Sequence, residues 1–303
     1  MEDQSYNGSL WNRRIYRLLQ DFGWARIGDH DMDVVGEDHI KNGIDTIVSF
    51  DTPLKVLPQP IILEAKNYAT TSFNKSILEN WISTLDKKIC SLKHSEPLIN
   101  KFPQLSECST LDTGLIALWF HDENKYPEYK IKVRNAQLQI SLSSRSRKIG
   151  MNKIYFMDNE RLMKLFALHE SMVELKKSDK FEFVYSPNFT SGQPIHRSSI
   201  LTIEGMFSDV IFGITKNEKQ ETKAHIFYFG IIDYKSLRFL KDIYARTILW
   251  DKSIPIILHL YGVPDDFRKI EPSIKEDIFK GFHIEIKKMA SNPTLPSFIL
   301  NID

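Results

Sequence analysis

Apolar and polar residues recur along this chain with two different periods, which predict its helices and strands. Apolar residues three and four apart predict amphipathic helices over four stretches, at 9–23, 70–94, 159–177 and 236–250. Apolar runs bounded by turn-forming residues predict buried strands over seven stretches, at 44–50, 60–66, 113–121, 152–158, 208–214, 224–233 and 254–262. The first helix is expected to begin after Ser9, a good N-cap residue. This order of elements predicts an α/β fold with helices flanking a mixed sheet.

A break in composition divides this pattern. In the segment Leu175–Lys180, with the sequence LKKSDK, charge replaces apolar periodicity. We therefore expect a domain boundary there, with a first domain over residues 1–176 and a second over residues 177–303. Strands and a helix are predicted on the far side too, so the second domain is also expected to be α/β.

Composition narrows the class of protein. The chain has 303 residues, 42% of them hydrophobic, so it can bury a sizeable core. Its 40 basic and 39 acidic residues leave a formal net charge of +1, so any nucleic-acid-binding surface must be a local patch. Two cysteines are too few for a disulfide framework. With no signal peptide and no membrane-spanning run, the sequence predicts a soluble, cytoplasmic protein without membrane contacts.

Charged residues lie at the ends of two neighbouring predicted strands. Asp45 lies near the start of the first, and Glu64 and Lys66 end the second, after the apolar run Ile61–Leu63. Because side chains two apart on a strand point to the same face, Glu64 and Lys66 should project together. If the two strands pair as a hairpin, all three charged groups meet at one edge of the sheet.

Such a cluster suits the hydrolysis of a phosphodiester bond. Carboxylates such as those of Asp45 and Glu64 are oxygen ligands for Mg²⁺ or Mn²⁺. The metal lowers the pKa of a bound water and neutralises charge on the scissile phosphate. Lys66 can orient that water or stabilise the transition state through its charge. The sequence thus predicts a metal site at Asp45 and Glu64 and a catalytic role for all three residues.

The segment GID, followed by ILEAK and a predicted helix, resembles the D…(D/E)-x-K signature of the PD-(D/E)XK, or restriction-endonuclease-like, nuclease superfamily. The order of elements from Ser9 to Lys176 is similar to the core of that superfamily. The resemblance implies a restriction-endonuclease-like mixed-sheet core, with Asp45 and Glu64 as metal ligands and Lys66 as the catalytic lysine. The proline of the superfamily name is replaced by Ile44, and the acid that many members carry in the opening helix is left unassigned.

The triplet E-x-K is weak evidence by itself, because it recurs in this chain. Other copies include those at Glu123, Glu174, Glu221 and Glu285. Three of them lie in polar surroundings, and the copy at Glu285 has no obvious acid-bearing strand before it. Glu64, in contrast, ends an apolar strand that follows an acid-bearing one. Asp45, Glu64 and Lys66 are called the triad below. The competing interpretation of these three residues is a surface hairpin with an ordinary salt bridge.

Two groups of basic residues are candidates for binding phosphates. Arg145, Arg147 and Lys148 lie among small hydroxyl residues in the segment SLSSRSRKIG. Arg13 and Arg14 lie on the first predicted helix. A solvated loop and a wet helix face explain the same residues. The sequence has no nucleophile elbow and no glycine-rich phosphate loop, which argues against Ser/His/Asp hydrolysis and NTP-driven chemistry.

The second half of the sequence repeats part of the pattern. An acid-bearing strand, a polar connector, a second strand, a D-x-K triplet and a helix follow one another between residues 208 and 250. Asp209, Asp233 and Lys235 would then be the counterparts of the first triad. One interpretation is a duplicated nuclease-like core, active or degenerate. The other is a regulatory or partner-binding domain, because any α/β domain supplies strands and helices in this order.

Two hypotheses for function follow. The first is a metal-dependent nuclease that hydrolyses DNA. The superfamily resemblance implies a setting such as restriction, repair or phage defence, that is, antiviral defence, with a partner subunit or a second copy of the chain as candidate protein partners. The second is a non-catalytic, nuclease-like subunit that binds DNA or a protein partner. RNA is a further candidate substrate, because the triad acts on the phosphate rather than on the sugar.

Overall fold

The computed structural model describes residues 2–53, 55–138, 152–185, 196–247, 251–291 and 294–301. It contains two compact units, the first formed by Met1–Met163 with Pro293–Asp303 and the second by Lys164–Asn292. This division falls within one helix, Asn159–Lys176. The boundary that the sequence predicts after residue 176 therefore stays a prediction.

Seven strands belong to the first unit. They are β1 (Ala25–Ile27), β2 (Met32–Val35), β3 (Lys41–Ile44), β4 (Thr46–Phe50), β5 (Gln59–Tyr68), β6 (Thr113–Phe120) and β7 (Lys153–Met157). Five of them form a mixed sheet in the order β1-β4-β5-β6-β7, while β2 and β3 form a separate antiparallel hairpin. In the sheet, β4 is antiparallel to β1 and β5, whereas β5, β6 and β7 are parallel.

The helices of this unit cover the sheet. They are α1 (Glu2–Asp21), α2 (Lys75–Leu92), α3 (Glu96–Lys101) and α4 (Tyr126–Leu138), followed by α5 (Asn159–Lys176), which continues into the second unit. Short 3-10 turns lie at Thr70–Ser72, Pro103–Glu107 and Glu123–Lys125. Every residue of β6 is buried, as expected for a central strand of a parallel sheet covered on both faces.

The helix α2 packs closely on the sheet beside β5 and β6. Its residues Leu85 and Ile89 share one core cluster with Ile62 of β5 and other buried residues. Gly114 of β6 permits this approach, because a Cβ at that position would lie 2.7 Å from a methyl group of Leu85. The Asn74 side chain accepts a hydrogen bond from the backbone of α2 and so caps its amino end. These contacts determine which face of α2 meets the strand that carries Glu64.

The second unit is built around a six-stranded sheet. Its strands are β8 (Lys180–Tyr185), β9 (His196–Ser198), β10 (Val210–Lys216), β11 (Thr222–Tyr228), β12 (Ile256–Leu260) and β13 (Ile284–Lys288). Their order in the sheet is β9-β8-β10-β11-β12-β13. The pairs β8–β9, β8–β10 and β10–β11 are antiparallel, and β11, β12 and β13 run parallel.

The remaining helices are short except for α7. They are α6 (Ile203–Met206), α7 (Tyr234–Tyr244), α8 (Glu271–Ser273) and α9 (Ser297–Leu300), with a 3-10 turn at Asp265–Lys269 and a π-helical turn at Ile274–Ile278. Within the described ranges, no helix combines the length and the apolar character needed to cross a membrane.

A buried polar row crosses the second sheet. Thr215 Oγ1 lies 2.9 Å from His225 Nε2, and His225 Nδ1 lies 3.0 Å from His259 Nε2. Burial lowers the pKa of both histidines to about 3, so both rings are neutral at physiological pH. Neutral rings can each donate and accept one hydrogen bond, which satisfies their buried nitrogens without a charge. The row is a structural feature of this sheet.

The predicted α/β class and the mixed sheet flanked by helices are confirmed. The prediction that the first helix begins after Ser9 is wrong, because α1 begins at Glu2. The β2–β3 hairpin and α4 had no clear signal in the sequence. The strands of that hairpin are only four residues each in a polar, turn-rich segment. In α4 the buried residues Tyr126, Val133 and Ala136 lie at helical spacing, but the apolar Ile131 and Leu138 are exposed and obscure that pattern in the sequence.

Candidate active site

The pairing of β4 with β5 brings the two predicted metal ligands to the same place. Thr46, the first residue of β4, pairs with Leu63 of β5. Asp45 precedes Thr46 and Glu64 follows Leu63, so in this antiparallel pair Asp45 and Glu64 lie across from each other. The N–H of Ala65 donates to Asp45 Oδ2 at 3.0 Å, which anchors this carboxylate to β5. The hairpin expected from the sequence is therefore present at the site.

Lys66 joins the two carboxylates. Its Nζ lies 2.8 Å from Glu64 Oε2 and 3.4 Å from Asp45 Oδ2. The side chain of Glu64 is 8% exposed, against 22% for Asp45 and 26% for Lys66. A surface salt bridge would leave all three groups well hydrated, whereas here one carboxylate is almost completely removed from water.

A second lysine, which the sequence analysis did not single out, completes this charged cluster. Lys88 of α2 places its Nζ 2.5 Å from Glu64 Oε1, and its side chain is 16% exposed. Each carboxylate oxygen of Glu64 thus accepts a hydrogen bond from a lysine. Lys88 lies three residues after Leu85 and four before Leu92 on the apolar stripe of α2. A lysine within a buried stripe was the available signal.

Burial and charge shift the proton affinities in this cluster. Burial, together with the neighbouring Glu64 carboxylate, raises the pKa of Asp45 above its usual value near 3.8. Burial alone would lower the pKa of Lys66, but the carboxylates of Glu64 and Asp45 outweigh it, so that the pKa of Lys66 is raised. Lys66 therefore stays positively charged at neutral pH.

An open cavity of about 950 Å³ lies at this edge of the sheet. It is lined by Asp45, Lys66, Ser9, Asn12, Asp31 and Trp81, among others. Asn12 is almost fully buried, and its Nδ2 donates to Asp31 Oδ1 at 2.9 Å while its Oδ1 has no hydrogen-bond partner. A buried oxygen that lacks a donor is costly unless a ligand or water supplies one. The cavity therefore offers an acceptor, two carboxylates and an ammonium group.

The donor set at this edge fits a hard divalent cation. Asp45 and Glu64 supply carboxylate oxygens, the ligand type that Mg²⁺ and Mn²⁺ prefer, and the orphaned Oδ1 of Asn12 can accept from coordinated water. Among the described residues, no three His, Cys, Asp or Glu side chains form a group that could hold a metal. Water or substrate oxygens would have to complete the coordination, as is common for Mg²⁺ in sites that bind phosphates.

The predicted phosphate-binding residues have different outcomes. Arg13 is exposed on α1, and Arg14 donates to the backbone oxygen of Leu300 at 3.2 Å. Arg145, Arg147 and Lys148 lie outside the described residues. A role for any of the five in nucleic-acid binding stays a prediction.

The competing triplet at Glu285 differs clearly from the triad. Glu285 and Lys287 lie on β13, at an edge of the second sheet, with side chains 57% and 46% exposed and 3.6 Å apart. Such an exposed pair contributes little and encloses no site. It provides a matched control for the buried triplet in β5.

The counterparts proposed for Glu64 and Lys66 in the second half are wrong. β11 ends at Tyr228, so neither Asp233 nor Lys235 lies on it. Asp233 instead caps α7, where its side chain accepts from the N–H of Ser236 at 2.7 Å, and Lys235 lies within that helix. Asp209 immediately precedes β10, whereas the sequence predicts a strand that contains it.

Comparison with known proteins gives a family match in the first part of the chain. The family model of the GAPS4 protein PD-(D/E)XK nuclease domain matches residues 1–161, which is more than half of this chain. No curated protein matches it. The solved structure titled "Crystal structure of Aa-Ago with externally-bound siRNA" has 12% sequence identity and a TM-score of 0.18, over 87% of this chain and 40% of that one. This chain thus spans less than half the length of that protein, and the likeness carries no argument.

Proposed function

The chain belongs to the GAPS4 protein PD-(D/E)XK nuclease domain family, and on that premise we propose that it is a metal-dependent deoxyribonuclease. The observation that supports this most directly is the contact of Lys66 with both Glu64, at 2.8 Å, and Asp45, at 3.4 Å. A buried acid, a second acid and a lysine at the edge of an open cavity form the set of groups that phosphodiester hydrolysis needs.

In this proposal Asp45 and Glu64 hold Mg²⁺ or Mn²⁺. The bound cation supplies Lewis-acid stabilisation of the charge that builds on the scissile phosphate. The N–H of Ala65 donates to Asp45 Oδ2 and holds this carboxylate against β5, which leaves Oδ1 as the oxygen that would bind the cation. Glu64 is held by Lys66 and Lys88, which makes Lys88 a positioning residue.

Lys66 acts as a charged donor in this proposal. Its raised pKa keeps it protonated at neutral pH, so it is unsuited to remove a proton from water. Its ammonium group can instead donate hydrogen bonds to the attacking water or to a phosphate oxygen. Asn12 lines the same cavity, and its Oδ1, which has no hydrogen-bond partner, can accept a hydrogen bond from that water.

We take DNA as the substrate, because the superfamily resemblance is to restriction endonucleases. The same resemblance supports a setting in restriction, repair or antiviral defence, with a partner subunit or a second copy of the chain. The triad itself recognises phosphate, so a parallel assay with RNA of the same sequence tests this assignment.

The experiment is cleavage of circular and linear DNA with Mg²⁺ or Mn²⁺ by the parent chain, Glu64→Gln and Lys66→Ala. Matched controls are Glu285→Gln and Lys287→Ala, which alter an exposed E-x-K triplet. We expect metal-dependent cleavage that both site variants lose and both controls retain, with folding verified by circular dichroism. Equal cleavage by Lys66→Ala and the parent would overturn the assignment, and cleavage of circular DNA would identify an endonuclease.

A non-catalytic binding module is the second candidate. It is favoured by the two lysines at 2.8 Å and 2.5 Å from Glu64, which balance the buried charge without a metal. This alternative predicts that Mg²⁺ and Mn²⁺ give no binding heat and that Asp45→Asn leaves DNA binding unchanged. Measurable heat that Asp45→Asn abolishes would exclude it.

A further inference from the structure

The two sheets share one topology. The first has the order β1-β4-β5-β6-β7, and the second contains the order β8-β10-β11-β12-β13, with β9 added beyond β8. In both, the first two pairings are antiparallel and the last two are parallel. Five strands agree in order and direction, which is more than a generic succession of strands and helices supplies.

The helices occupy the same places in the two chain paths. α1 precedes β1, and α5 precedes β8. α2 connects the parallel strands β5 and β6, and α7 connects the parallel strands β11 and β12. Each connecting helix is capped by a side chain, that of Asn74 for α2 and that of Asp233 for α7. The similarity thus extends from the sheet to the elements between its strands.

In both hairpins an acid lies where the antiparallel pairing begins. Thr46, the first residue of β4, pairs with Leu63, and Val210, the first residue of β10, pairs with Tyr228. Asp45 and Asp209 each lie one residue before these strands. The side chains face differently, however: Glu64 contacts Lys88 of α2, and Tyr228 shares a core cluster with Leu237 of α7. Because alternate residues of a strand share a face, Tyr228 and Gly230 lie on the face that corresponds to that of Glu64.

The N–H of Phe229 donates to the backbone oxygen of Asp209 at 2.9 Å, so these two residues lie across from each other. The side chain of Phe229 is buried and packs against the ring of Tyr261. Ile231 is 73% exposed. This edge of the second sheet therefore has one acid, Asp209, and its described residues 228–231 include neither a second acid nor a lysine.

Asp209 has a lysine side chain nearby in its own unit. Lys164 of α5 lies 3.7 Å from Asp209, and the side chain of this lysine is only 13% exposed. A single carboxylate beside a lysine and a buried phenylalanine is a poor ligand set for a divalent cation, which needs several oxygen donors.

We propose that the second unit is a duplicated nuclease-like core that has lost divalent-metal binding, so that each chain has one metal site. Combined with the proposed function of the first unit, this gives one hydrolytic centre per chain. One centre hydrolyses one phosphodiester bond per encounter, so cutting both strands of a duplex requires two chains or two successive encounters.

Calorimetric titration of the full chain with Mn²⁺ tests this inference. Four proteins are compared: the parent, Glu64→Gln, Asp209→Asn and the double variant. We expect Asp209→Asn to match the parent in heat and stoichiometry, and the double variant to match Glu64→Gln, which loses the binding step. Circular dichroism establishes that all four are folded.

The other outcomes are distinct. A lower stoichiometry for Asp209→Asn than for the parent would overturn the inference, and so would a binding step that Glu64→Gln retains and the double variant loses. Identical traces without heat for all four proteins would support the loss of metal binding in the second unit and contradict the proposed function of the first. The two proposals therefore fail separately.

Discussion

The edge of the first sheet at Asp45 and the corresponding edge of the second sheet at Asp209 differ in what faces the acid. In the first unit a buried glutamate lies across from it, with two lysines in contact. In the second unit a buried phenylalanine takes that place. In both hairpins the acid lies one residue before the first paired position of its strand. The backbone topology is thus compatible with a charged or an apolar edge, so topology alone does not establish an active site.

The difference has an energetic side. Removing the Glu64 carboxylate from water costs free energy, which Lys66 and Lys88 offset only in part. Phe229 carries no such cost and contributes apolar burial instead. An edge kept charged against this cost is more readily explained by a function than by stability.

The largest expected contrast is in cleavage. Asp45→Asn removes a metal ligand and should lower DNA cleavage by about a hundredfold to a thousandfold, the scale of losing one principal electrostatic group. Asp209→Asn, the same change at the acid that precedes β10, should leave cleavage unchanged. Rates of plasmid cleavage under equal Mg²⁺ make the comparison. Loss of activity in both variants would mean that the two edges act together.

Equal burial in the two sheets sharpens the comparison. Leu115 of β6 pairs with Leu63, and Leu260 of β12 pairs with Tyr228, so each leucine lies on the parallel strand next to its hairpin. Both are fully buried. Leu115→Ala and Leu260→Ala should each cost about 2–5 kcal/mol of stability in its own unit. Hydrogen exchange in peptides from each sheet measures this stability. If only one of the two variants destabilises its own unit, the two cores are not packed alike.

The pH dependence of metal binding should originate in the first edge. Asp45 must be ionised to hold a cation, and burial raises its pKa, so protons compete at a higher pH than for an ordinary aspartate near 3.8. Mn²⁺ affinity should therefore fall as pH falls through this raised pKa, by about tenfold per pH unit below it. Calorimetry across pH tests this, with Asp209→Asn as the control that keeps the same profile. An affinity independent of pH on the acid side would remove Asp45 from the metal site.

Lys88 distinguishes a positioning residue from a merely structural one. Lys88→Met removes a positive charge next to Glu64 and should raise Mn²⁺ affinity several-fold, to about tenfold, because one competitor for the carboxylate is gone. Cleavage should fall, since Glu64 loses the contact that orients it. Lys87→Met, an exposed neighbour on α2, is the matched control. A variant that lowers affinity and cleavage alike would indicate that Lys88 only supports the fold.

Much of the first edge could be predicted because its information is local. Apolar runs that end in a charged residue marked β5, and the acid before β4 marked its partner. Lys88 was harder to predict, because its contact with Glu64 joins residues 24 positions apart and depends on how α2 lies on the sheet. No local pattern encodes that packing.

The second edge shows the opposite error. The apolar run FGII, residues 229–232, continues the pattern of β11, so the sequence predicts a strand that reaches Asp233. The strand ends at Tyr228 instead, and Asp233 turns to cap α7. Spacing alone cannot separate a D-x-K on a strand from one at a helix start, because a capping aspartate also follows a strand in α/β folds. The hydrogen bond that Asp233 accepts from the N–H of Ser236 identifies it as the cap of a helix.

The smallest expected effect concerns these caps. Asn74→Ala should cost about 1 kcal/mol of stability, because the backbone N–H of Ile77 loses its acceptor. Asp233→Ala should act in the same direction on the second unit and leave cleavage unchanged. Hydrogen bonds from Ser236 lower the pKa of Asp233, so its contribution is present above the ordinary aspartate pKa near 3.8 and lost as pH falls through the lowered value. Thermal unfolding at neutral and acid pH measures both caps. Loss of cleavage in a folded Asp233→Ala protein would indicate a catalytic role for this residue and contradict its assignment as a helix cap alone.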